Sequence, residues 1–357
     1  MNAERLFDGE AWARGEAWQA LEALRPAGAA FVSPGLVAVV GHAEAVRVLS
    51  EPTFFSSRFG TGRRRTEFDG RSLNLDDPPR STGLRRTLPR LPEVEPPQAL
   101  VAAFVAQGGG DFVEALARPF ALAQFGRFVG LAEPLLGELG VLSRALASAG
   151  EAASFVAADQ ALLSWLSEHR DAPEPFFALG DDLDPRDRRY LQRLLAQTGH
   201  ESTAMLLALA VRELLVRGLP FEASPAAVDE LIRFTSPLIR FVREVVRPTS
   251  LGELSLEPGT RVAVFFPLVN RDPRVFARAE QLELERTPNP HLAFGAGPHA
   301  CFGASFARAQ LTAMLDALAP HAGRLRITAE EPLRSSVTRG WRRLELRLQA
   351  SRGTQAR

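Results

Sequence analysis

The residues Phe294-Gly295-Ala296-Gly297-Pro298-His299-Ala300-Cys301-Phe302-Gly303 constrain this chain more than any other stretch. They hold the only cysteine among 357 residues, so an intrachain disulfide and a cysteine-clustered zinc site are both excluded. The thiol is left with packing, reactivity or metal ligation. A lone cysteine is ordinarily a small buried hydrophobe. Here the spaced glycines and His299 point to ligation instead, because glycine lets a backbone turn tightly and approach a flat partner. The run from Gly303 to Leu318 has helical spacing and stops before Pro320. Cys301 is therefore expected at a helix N-terminus, where free N–H groups and the helix dipole favour the thiolate.

The stretch resembles the haem-ligand loop of the cytochrome P450 family, F-G-x-G-x-H-x-C-x-G, with every fixed position present. The resemblance implies that Cys301 is the proximal thiolate ligand of a haem b iron, pushing electron density toward O–O cleavage. It also implies that His299 meets a haem propionate, that Phe294 and Gly295 cover the thiolate side, and that N–H groups beyond Cys301 temper the sulfur's charge.

Composition narrows the partners. Acidic and basic residues balance at 42 each, which argues against nucleic acid, and every basic residue is arginine. The longest early apolar run, near Leu36–Val40, is far too short to cross a bilayer. A single domain over 1–357, without a membrane span and in the cytoplasm, is the expectation.

Along the chain, residues 1–25 read as an amphipathic helix, and 29–40 as a hairpin around Ser33-Pro34-Gly35. A short helix follows over 42–49. Residues 53–75 form a loop bearing Arg58, Arg63, Arg64, Arg65 and Arg71. It is either a solvated basic loop or a grip on a substrate carboxylate or phosphate. Asp77-Pro78-Pro79-Arg80-Ser81 to Arg85 is similar to the family's propionate-binding element; Arg85 matches the arginine and Ser81 replaces a histidine. Helices are expected over 97–107, 111–130, 133–149 and 151–169, in a segment shorter than the family usually has, which suggests a trimmed lid.

Asp184 and Pro185 start a long helix that Gly218 and Pro220 end. As one helix it would run ~50 Å. Inside it, Thr198-Gly199-His200-Glu201-Ser202-Thr203 is similar to the family's oxygen-side element, with Gly199 in place, Thr198 for alanine and Ser202 for threonine. The resemblance gives Glu201 and Ser202 the proton chemistry: the hydroxyl holds a water, and the carboxylate connects it to solvent. His200 is not expected to be a metal ligand. Glu230 and Arg233 resemble the E-x-x-R pair, which implies a structural lock, and Arg243 aligns with a propionate-binding arginine. Leu238, Ile239, Arg240, Thr198, Val337 and Thr338 are candidate substrate-lining residues. Arg240 is expected at the surface or as an anion anchor.

The implied fold is mainly α with small β-sheets (α+β), haem lying between the long central helix and the Cys-loop helix. The implied activity is insertion of one O2-derived oxygen into a small, possibly carrier-bound, organic molecule in secondary metabolism. Ferredoxin and ferredoxin reductase would supply electrons, docking near Arg85, Arg86 and Arg308, because the chain lacks cysteines for its own iron–sulfur centre. Three other readings stay open: a peroxide-driven enzyme, a coupling oxidase and a non-catalytic haem-binding protein.

Overall fold

The computed structural model describes residues 3–63, 73–148 and 152–349. Arg64, Arg65 and Arg71 lie outside them. The Glu201–Arg217 helix forms the axis of the molecule. Ala204, Met205, Leu206, Leu207, Ala208, Leu209, Ala210, Val211 and Leu214 are all buried. A helix apolar all round must be enclosed by other elements, and it packs on the Ala304–Leu318, Pro225–Thr235 and Arg118–Val129 helices.

The expected single long helix is two. Pro185–Thr198 ends at Gly199 and the chain resumes at Glu201, with His200 at φ −139° between them. Its outer ends match the sequence signals. Asp184 accepts from Arg186 N at 2.9 Å, and Gly218 takes a left-handed φ of 64°. The expected N-terminal helix is likewise three short pieces, Ala3–Phe7, Gly9–Ala13 and Glu16–Glu22, interrupted where Gly15 turns to φ 76°. Between 97 and 169 the Gln98–Ala106, Arg118–Val129, Leu135–Ser148 and Ala152–Glu168 helices lie close to the expected spans.

Five strands form one mixed sheet, in the order Ala29–Ser33, Leu36–Val39, Arg261–Phe265, Arg240–Val245 and Phe55–Ser56. Leu36–Val39 runs parallel to Arg261–Phe265, and the other neighbours are antiparallel. A second sheet joins Gly109–Asp111, Trp341–Leu348 and Leu325–Pro332. Its 333–340 connection folds back so that Thr338 bridges Leu238. That places the closing turn against the segment leading into strand Arg240–Val245. Among the described residues no helix is long and apolar enough to cross a membrane.

Candidate functional site

Glu230 and Arg233 fix the cysteine side. Both are fully buried and joined by two hydrogen bonds of 2.7 and 2.8 Å. Arg233 also donates to the carbonyls of Asn270, Ala279 and Gln281, while Glu230 accepts from Glu283 N, Arg286 Nε and Asn289 Nδ2. A buried ion pair is tolerable only when its remaining donors and acceptors are satisfied in this way. Arg286 is the third member that the sequence left unnamed, since it lies 56 residues from Glu230. Arg271 belongs to the same region, stacked 3.8 Å from the Phe234 centroid and paired with Glu280.

The cysteine loop packs onto this base. Gly295 and Gly297 have φ of 72° and 67°, and a Cβ on Gly297 would lie 2.6 Å from Leu49 O. Only glycine satisfies both demands. Cys301 N donates to Phe294 O at 2.8 Å, closing the loop, and Arg308 lies 4.8 Å from the Phe294 ring centroid. Cys301 precedes the Ala304–Leu318 helix by three residues and is exposed. Surrounding protein still pushes its thiol pKa up by desolvation, against the pull of the Gly303 N–H and the charges of Arg85 and Arg308. The expected pull of the helix terminus toward the thiolate is present in the Gly303 N–H, and desolvation opposes it.

Three basic side chains, two arginines and a histidine, lie beside that loop. Arg85, from the Arg80–Arg86 helix, donates to Ala300 O. His299 Nε2 lies 3.1 Å from Ser57 Oγ and 3.8 Å from Asp77 Oδ1. Arg243 is buried, donates to Val242 O, and is held to a pKa of about 10 by desolvation, with Asp77 pulling the other way. Ser57 and Asp77 are site residues without a readable role in the sequence. Ser57 carried no motif at all; Asp77 sat in one but had no assigned contact.

On the opposite side the Phe125 ring packs against the chain where the helix breaks at Gly199–His200. A Cβ on Gly199 would fall 2.3 Å from the Phe125 ring. His200 turns away from the axis to Ser143 Oγ at 2.7 Å, and burial drops its pKa to about 4. Glu201 is buried with Arg118 Nε at 3.3 Å. Desolvation raises its pKa, and Arg118 offsets part of the rise. From Arg118 the contacts run to Glu114 and on to Arg144, whose side chains are half exposed. Arg118 was invisible in the sequence, being 83 positions from its partner. The hydroxyls of Thr198 and Ser202 donate back to Leu194 O at 2.7 Å and Thr198 O at 3.1 Å.

Among the substrate-lining candidates, Ile239 departs from expectation. It is fully buried in the cluster that contains Leu6, Trp12 and Phe265. Leu238 and Thr338 meet at their bridge, and Val337 is exposed. Arg240 is buried, not on the surface. Of the arginines expected to dock a donor, Arg86 is exposed, Arg85 is tied to Ala300 O, and Arg308 is paired with Asp229.

The donor set fits a haem. One accessible thiol is flanked by basic side chains suited to two carboxylates. Among the described residues, buried His299 Nδ1, on an expected contact residue, has no partner, and neither has Ser81 Oγ at the position where serine replaces the family's histidine. The comparisons agree. The family model "Cytochrome P450" matches residues 224–318. Nocardicin C N-oxygenase of Nocardia uniformis subsp. tsuyamanensis is 33% identical over 327 residues, which are 78% of this chain and 80% of that protein. Putative cytochrome P450 126 of Mycobacterium tuberculosis is 39% identical over 163 residues, 43% of this chain and 39% of that one. The chain's matches to several such relatives thus span less than half of the relative's length, 44% for cytochrome P450 119 of Sulfurisphaera tokodaii. A Mycobacterium marinum cytochrome P450 solved in complex with pseudoionone superposes with a TM-score of 0.78 at 25% identity, covering 94% of each chain. The chain belongs to the cytochrome P450 family and has its α+β fold.

Proposed function

We propose that this protein is a haem-thiolate monooxygenase that inserts one O2-derived oxygen into a C–H or C=C bond of a small organic molecule. The observation that carries it is the single accessible thiol of Cys301, set among Arg85, Arg243 and His299, in a chain of this family. When bound, haem b supplies the oxygen activation and electron storage that no side chain here can provide. Cys301 ligates its iron, and Arg85, Arg243 and His299 hold its propionates. The Gly303 N–H draws charge from the sulfur.

The chain's own chemistry lies in proton handling. Burial lets the Glu201 carboxyl hold a proton at higher pH than a free glutamate, in the direction a proton donor needs. Arg118 and Glu114 connect it toward the half-exposed Arg144. Ser202 spends its hydrogen on Thr198 O, which leaves the oxygen's lone pairs to accept from a water. Electrons come from a ferredoxin and its reductase, for which the exposed Arg86 is a docking charge. A role in secondary metabolism belongs to the same proposal, in line with the match to nocardicin C N-oxygenase.

The test is spectroscopic. The haem-loaded protein gives a thiolate-type ferrous carbonyl band, and Cys301→Ala abolishes it. Glu201→Gln keeps the band and slows ferredoxin-supported product formation on the order of 10²-fold. An imidazole-type band in the native protein, or full turnover by Cys301→Ala, overturns the proposal.

A further inference from the structure

Most buried arginines here have a carboxylate: Arg118 with Glu201, Arg233 with Glu230, Arg261 with Glu244 and Arg271 with Glu280. Arg243 lies among the cations assigned to the propionates, and Arg339 gives Nη1 to Thr235 O. Arg240 is different. It is 6% exposed, yet its one hydrogen bond is a long 3.4 Å contact from Nη2 to Ser336 Oγ, and its buried Nε has no partner. Its guanidinium stacks 4.3 Å from the Phe7 ring centroid, and that of Arg63 lies 5.5 Å from the same ring. Two like charges thus share one aromatic ring. Cation–π contact returns only part of the cost of taking a guanidinium out of water. Arg63 is itself exposed and reaches Glu4 at 4.0 Å, and among the described residues no carboxylate pairs with Arg240.

The closing turn connects this charge to the candidate site. Arg240 pairs with Phe265 and stacks on Phe7, on the sheet face of the Leu6, Trp12 and Phe265 cluster, whereas Leu238 packs on the cluster of the opposite face. Ser336 lies in the closing turn whose Thr338 bridges Leu238, and Val242 N donates to Thr61 O, fastening the loop that carries Arg63. The N-terminal segment, that loop, the strand and the closing turn meet around one unneutralised guanidinium.

We propose that Arg240 selects substrates bearing a carboxylate. The carboxylate accepts from Arg240 Nε and a terminal nitrogen, and from Ser336 Oγ, whose own hydrogen is free to donate. One buried guanidinium balances one negative charge; a phosphate monoester would need a second buried cation, and Arg63 is exposed. This inference rests on the monooxygenase reading for the word substrate, but the binding site does not require turnover.

The test is calorimetric titration of the haem-loaded protein with decanoate and phenylacetate, each beside its methyl ester, and with phenyl phosphate. The acids bind roughly tenfold or more tighter than the esters, as expected for hydrogen bonds to a charged group. Arg240→Gln brings that ratio to about one, and Arg240→Lys keeps part of it. Equal binding of acid and ester by the native protein overturns the proposal. So does an Arg240→Gln variant that melts lower but keeps the preference, which would mark a packing role. Phenyl phosphate binding more tightly than phenylacetate overturns the carboxylate assignment. The ferrous carbonyl band of the same samples reads the monooxygenase proposal separately. A thiolate band without acid preference defeats the anchor alone, and an imidazole-type band with acid preference defeats only the proposed chemistry.

Discussion

Beneath the cysteine loop, Arg233 and Glu230 meet through two short bonds, and their remaining nitrogens and oxygens are satisfied by three carbonyls, a backbone N–H, Arg286 and Asn289. Across the molecule, at the helix break, Glu201 and Arg118 share one 3.3 Å contact, and the chain of charge beyond them opens to solvent at Arg144. Both are buried carboxylate–guanidinium pairs. The first is over-determined and can do little except hold position. The second is under-determined, so its carboxyl can exchange a proton without collapsing a network. Geometry around the pair, more than residue type, separates a lock from a relay.

Removing one partner tests this contrast most strongly. Arg233→Ala leaves Glu230 charged and unpaired in the core and is expected to cost ~3–5 kcal/mol, read as a lowered urea midpoint. Arg118→Ala is expected to cost less, since Glu201 can take up a proton. Equal losses would erase the distinction drawn between the two pairs.

Next comes acidification, which should strike the break before the lock. His200 titrates near 4 in the folded protein against an ordinary 6.5, so the unfolded chain binds more protons between those values. Its contribution is fully present above pH 6.5 and is lost as pH falls toward 4, about 3 kcal/mol in all. Denaturant midpoints measured across that window should fall with pH, and His200→Gln should flatten the slope. An unchanged slope would mean that other groups govern acid unfolding.

The smallest effect tests the close packing of Phe125 on Gly199. Gly199→Ala drives a methyl into Phe125 and is expected to cost ~1–3 kcal/mol. Pairing it with Phe125→Leu should recover most of that loss in a double-mutant cycle. No recovery would mean that Phe125 is not what requires glycine at this position.

Much of this was legible in the chain itself. Asp184 and Gly218 marked helix ends because caps are local: a side chain or a left-handed glycine satisfies groups two to four residues away. The cysteine loop was legible for the same reason, as its glycines answer to backbone geometry within ten positions. What failed was long-range. The Phe125 ring that closes on Gly199 lies 74 positions earlier in the chain. Of the two places open to Arg240, the surface or an anion anchor, the surface is ruled out because the residue is buried, with Phe7 from the far end of the chain stacked on it.

The order of residues by itself determined the family, the thiol, the cap positions and the apolar faces, because each follows from neighbours in sequence. Only the folded molecule decided which arginine serves which carboxylate, that Glu201 looks to Arg118, and that Arg240 is left without an acid. Those outcomes depend on desolvation and on distances between groups tens to hundreds of positions apart, and neither exists until the chain has closed on itself.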